Sequence, residues 1–185
     1  MPGWQRAWED RKRAFHLLAV AQDVQGEERV RPLCEAHGVR FPVLVDRASD
    51  LGRLLGFRIV PSGFFVDAEA TVRYRQVDDF DVADPRVRWN LENFLAGKPT
   101  EPSGEDGRMD SAALERFAEG VQLYAAGREN QAIAVWRAAL ELDPDNFVIR
   151  SQIWAAEHPE HFWPVVDREW QELQLVKEGY DKPLP

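Results

Sequence analysis

The only thiol of the chain, Cys34 in "RPLCEAHG", stands three residues before His37. That spacing puts a cysteine nucleophile and an imidazole base on one helical face. The position works against the chemistry, because Cys34 falls late in its predicted helix, among Val30 and Leu33, where an apolar face and a helix C-terminus favour the neutral thiol. A single cysteine forms no intramolecular disulfide and cannot supply the thiolates of a structural zinc site. His158 and His161 in "EHPEHF" have a metal-ligand spacing, but Pro159 interrupts the helix and no third ligand stands nearby, so they read as a helix boundary. Asp23, Asp46 and Asp67 each end a predicted strand, where α/β proteins gather their sites, and turn chemistry explains them equally well. No glycine-rich phosphate loop, Ser-His-Asp arrangement or nucleophile elbow occurs.

Composition narrows the function classes further. A chain of 185 residues, 44% hydrophobic, is long enough for one domain or two small ones. Its net charge of −9 argues against nucleic acid and anionic membranes as partners, since phosphate binding needs a surplus of Lys and Arg on one face. The sequence holds no apolar run of membrane-spanning length, and "MPGWQRAWEDRKR" is charged throughout with no signal-peptide core. The chain as written is expected in the cytoplasm; an export signal further upstream would place it outside.

The elements that must position these residues change character along the chain. "FHLLAVAQD" reads as a strand, "EERVRPLCEAHG" as a helix stopped by Gly38, "FPVLVD" as a second strand, and "SDLGRLLG" as a short helix with Leu51, Leu54 and Leu55 turned inward. "SGFFVD" and "TVRYRQV" predict a hairpin, with Val72 and Tyr74 on the buried face and Arg73 and Arg75 on the wet one. In "DPRVRWNLENFLAG", Asp84 caps a helix, Pro85 suits its first turn, Val87, Leu91 and Phe94 share a face, and Gly97 ends it. The expected fold class is thus α/β with an antiparallel end. A linker follows, residues 98–109, rich in Pro, Gly, Ser and charge.

Beyond the linker, residues 110–180 predict only helices. Leu114, Phe117, Ala118, Val121 and Tyr124 share one face, and Ala132, Ile133, Trp136, Ala139 and Leu140 share the next before Asp143-Pro144 ends it. The pair, Ala113 to Asn146, resembles one tetratricopeptide (TPR) repeat at Gly120, Gly127, Ala132, Trp136, Ala139 and Pro144. One repeat cannot bury its own face, so it must stack on the helices that follow. Packing is the first expectation for this half, and docking of a protein partner the alternative.

Residues 1–97 resemble the thioredoxin-like ResA and TlpA family of thiol-disulfide oxidoreductases, related to the peroxiredoxins. The resemblance rests on "LLAVAQDVQG", "FPVLVD", "LGRLLGFRIVPSGFFVD" and "TVRYRQV" in the family's order. It implies a cis peptide at Val60-Pro61, with Val60 and Pro61 presenting backbone to a disulfide substrate. It implies thiols and disulfides, protein or small-molecule, as partners, and no bound cofactor. The family's first core strand and its Cys-x-x-Cys type motif have no counterpart here, and Met1 falls a few residues after the place of the second cysteine. Some relatives use selenocysteine in that motif, so the expectation is a truncated reading of a longer redox protein. No catalytic residue is then present in this chain, and the chain alone is inactive; the rival reading is a non-catalytic, TPR-containing interaction module. The missing strand belongs between "FHLLAVA" and "GFFVD". Strands sit about 4.8 Å apart, so its loss leaves a gap of about 10 Å bordered by unpaired backbone.

Overall fold

The computed structural model describes residues 2–11, 14–55, 58–101, 110–180 and 184. Among them the order is α1 (Pro2–Arg11), β1 (Ala19–Gln22), α2 (Glu27–Ala36), β2 (Val43–Asp46), α3 (Asp50–Leu55), β3 (Gly63–Val66), β4 (Val72–Gln76) and α4 (Pro85–Leu95). The helical half follows as α5 (Ser111–Ala125), α6 (Glu129–Leu142), α7 (Phe147–Glu157), a 3-10 turn (Pro159–His161) and α8 (Arg168–Lys177). The protein is a mixed α/β molecule. Residues 102–109, most of the linker, lie outside the described residues, as do Gly56 and Phe57.

Local chemistry sets most boundaries. The Asp84 carboxylate accepts from Arg86 N at 2.6 Å with Pro85 in the first turn, and Val87 and Leu91 are buried. Asp110 caps α5 through the amides of Ala112 and Ala113, and Asn146 caps α7 through that of Ile149. Gly38 and Gly97, just past α2 and α4, take φ of 60° and 66°, the left-handed conformation that ends a helix without a Cβ penalty.

The strands do not form one sheet. β1 and β2 pair in parallel, Ala19 opposite Val43 through Gln22 opposite Asp46, and β3 and β4 pair antiparallel as a separate hairpin. Ala19 N donates to Pro42 O at 3.0 Å, and in a parallel ladder that parity turns the odd-numbered residues of β1 toward β2. The N–H and C=O of Val20 therefore point from the opposite edge, where they have no hydrogen-bond partner among the described residues. The segment that enters β1 still reaches the core of the hairpin. Leu17, just before β1, packs on the cluster of Trp4, Ala7, Phe65, Tyr74, Val82, Val87 and Leu91, which joins α1, the hairpin and α4.

Several expected faces are corrected. The strand starts at Ala19, not at Phe15, and Leu54 of α3 is 77% exposed instead of inward. Val72 is 42% exposed because a register shift between Phe65 and Val66 bends the hairpin there; Tyr74 alone is fully buried on β4. On α5 the buried positions are Ala113, Phe117 and Gly120, so Ala118 faces outward. The helical core of Ala113, Phe117, Ala132, Trp136, Ala139, Ile149 and Ile153 also takes in Val24 from the turn after β1. One apolar cluster thus spans both halves.

Candidate functional site

Val60 and Pro61 sit in the segment that leads from α3 into β3, and their peptide bond is cis. Both residues are exposed, whereas the segment around them is tied down. Ser62 Oγ donates to Ile59 O at 2.7 Å, Ile59 packs on the Phe147, Trp154 and Leu175 cluster, and Arg58 Nη1 pairs with Asp143 Oδ1 at 3.1 Å. Val148 N donates to Arg58 O at 3.2 Å. The result is an exposed corner on fixed flanks.

The other candidate residues are not gathered around it. Asp46 turns both oxygens to neighbours: Oδ1 accepts from Asp50 N at 2.9 Å, Oδ2 from Leu51 N at 2.8 Å and Gln22 Nε2 at 2.9 Å. Asp67 closes the hairpin turn, accepting from Thr71 N at 2.8 Å and Glu69 N at 3.0 Å and pairing with Arg73. The Thr71 amide is the chief reason its carboxyl is held below the usual range. Asp23 accepts from Gln25 N at 2.8 Å, while burial pushes its carboxyl upward. All three do turn chemistry.

Cys34 is half-buried, and burial, then Glu35, raises its thiol above the ordinary value, the wrong direction for a nucleophile. His37 is exposed. His161 stacks on Trp170 at 4.4 Å and bonds Asp167 at 3.1 Å, and no cluster of three or more metal-ligating side chains occurs among the described residues. A polar cleft of about 650 Å³ lies elsewhere, between α6, the end of α7 and α8, where Arg137 is already held by Glu157 at 2.6 Å.

Two residues of consequence escaped the sequence reading, Val148 and Gln152. The signal was present: α7 reads "FVIRSQIWAAE", apolar nearly all round, so a polar residue inside it has to find a partner in the core. Gln152 is 7% exposed.

Comparison of the chain with protein-family models, curated proteins and solved structures finds no match.

Proposed function

We propose that this chain carries the motif-less part of a thioredoxin-like thiol-disulfide (or selenol) oxidoreductase, with Val60 and Pro61 as its substrate-presenting corner and no redox pair of its own. The observation that supports this most is the divided sheet. Among the described residues, the Val20 backbone has no partner on the edge away from β2. Leu17, entering β1, shares a core with Phe65 of β3, and the turn after β1 and the residues before β3 both contact α7. These contacts fit strands β1 and β3 that run in opposite directions, as on either side of a thioredoxin core strand. The cis Val60-Pro61 peptide and the closing helix α4 fit the same reading. The α5–α6 pair, with Gly120, Ala132, Trp136 and Ala139 all buried between the helices, supports a TPR-like unit. The interaction-module reading draws on the exposed Leu173 and Val176 of α8.

The chemistry of the whole enzyme is a two-electron exchange. A thiolate or selenolate attacks a substrate disulfide and expels one thiol, a second thiol resolves the mixed species and releases the other, and an external dithiol reduces the pair again. Disulfide and dithiol exchange two electrons and two protons.

The test is restoration. A strand of alternating apolar residues followed by Trp-Cys-x-x-Cys is fused ahead of residue 1, and reduction of a small disulfide by dithiothreitol is followed. The chain alone should show no turnover above buffer. The fusion should exceed both the chain and a fusion with Ser for both Cys by about tenfold or more. Equal rates for the fusion and for a copy with its strand residues scrambled would overturn the proposal.

A further inference from the structure

α7 touches both sides of the divided sheet. Gln152 Oε1 accepts from Val24 N at 3.0 Å, and Gln152 Nε2 donates to Gln22 O at 3.1 Å. Gln22 belongs to the same edge as Val20, since even-numbered residues of β1 face away from β2, and Val24 lies two residues on in the turn that follows. In a parallel ladder one residue bonds the carbonyl of one neighbour and the amide of the residue two places on. A carboxamide carries a donor and an acceptor side by side and here makes that same pair of bonds. Gln152 therefore stands where a strand residue opposite Asp23 would stand.

One turn earlier on the same helical face is Val148. Its N–H is a first-turn donor with no acceptor inside α7, and it donates instead to Arg58 O at 3.2 Å. Asp143, just ahead of α7, holds the Arg58 guanidinium. One turn of α7 thus grips the end of β1's open edge, and the turn before grips the residues leading to Val60, Pro61 and β3.

We propose that α7 is a brace fixing β1 and β3 relative to each other, and that Gln152 ends the open edge, so that the edge takes an extended polypeptide strand alongside Leu18–Gln22 and stops it level with Asp23. The occupant binds through its backbone. This inference rests on the reading above, under which that strand leads into the redox pair; the stop then delivers the pair at the end of β1 nearest the Arg58–Pro61 segment.

The brace is measured in the full chain without any redox chemistry. Spin labels replace Leu44 of β2 and Val72 of β4, which are 53% and 42% exposed, in a Cys34→Ser background. The unaltered brace should give one narrow distance distribution. Gln152→Leu should broaden it about twofold and speed exchange of the Val24 amide about tenfold. Val148→Pro, which removes the N–H at a helix position tolerant of proline, should broaden it similarly. Unchanged widths in both variants, or unchanged Val24 exchange in Gln152→Leu, would overturn the proposal. If circular dichroism shows α7 lost in Val148→Pro, Gln152→Leu decides alone. An inactive fusion with these signals present would instead defeat the redox reading and leave the brace standing.

Discussion

Trp136→Ala should destabilise the protein by about 3–5 kcal/mol, the range for deleting a buried aromatic, and lower its denaturation midpoint accordingly. Trp136 is fully buried, packs against Phe117 and Tyr124 at ring distances of 5.9 and 5.5 Å, and donates its indole N–H to Phe117 O at 3.1 Å. The helices close on it at Gly120, where an added Cβ would lie 2.2 Å from the indole nitrogen. The indole thus fills a site bounded by backbone. A chain of this size has a total stability of about 5–15 kcal/mol, so the loss is a large share of it. Because Val24 belongs to the same cluster, chemical denaturation should show both halves melting together, in the parent and in the variant. An unchanged midpoint would mean that α5 and α6 do not close on Trp136.

Glu178→Ala should cost a similar amount, about 3–5 kcal/mol, by stranding a buried charge. The Arg150 side chain is 6% exposed, pairs with Glu178, donates to Pro144 O at 2.8 Å and lies 4.8 Å from the Tyr180 ring. Glu178 also accepts the Trp154 indole N–H at 2.7 Å. Burial, reinforced by Asp145, also pushes the neighbouring Tyr180 phenol up to about 12. Removing both charges with Glu178→Ala and Arg150→Met should recover much of the loss, because a buried ion pair returns little net stability against an apolar replacement. Denaturation midpoints check this directly. A double variant weaker than Glu178→Ala would contradict it.

The sequence made some elements readable and left others obscure for identifiable reasons. α4 was legible because Asp84, Pro85 and Gly97 are local signals acting within a few residues of the helix they bound. Buried Ala132, Trp136 and Ala139 of α6 were legible from helical period alone. Leu54 and Val72 were misread because an apolar residue at the right period marks a face without saying whether anything covers it. Period is also silent on edges, since backbone pairing leaves no side-chain pattern; the parity that exposes Val20 came only from the Ala19 bond to Pro42. Gln152 was missed for a third reason. Its partners, Gln22 and Val24, are separated from it by most of the chain, and no local rule connects them.

The central claim is that β1 keeps one edge open except where Gln152 closes it, and residue-resolved amide exchange in the native chain reads it directly. Ala21 should be protected by β2 and Val24 by Gln152, while Val20, next to Ala21 in the same strand, exchanges faster by about tenfold or more. A Val20 amide as protected as that of Ala21 would mean that the edge is already paired, and the open-sheet arrangement would be wrong.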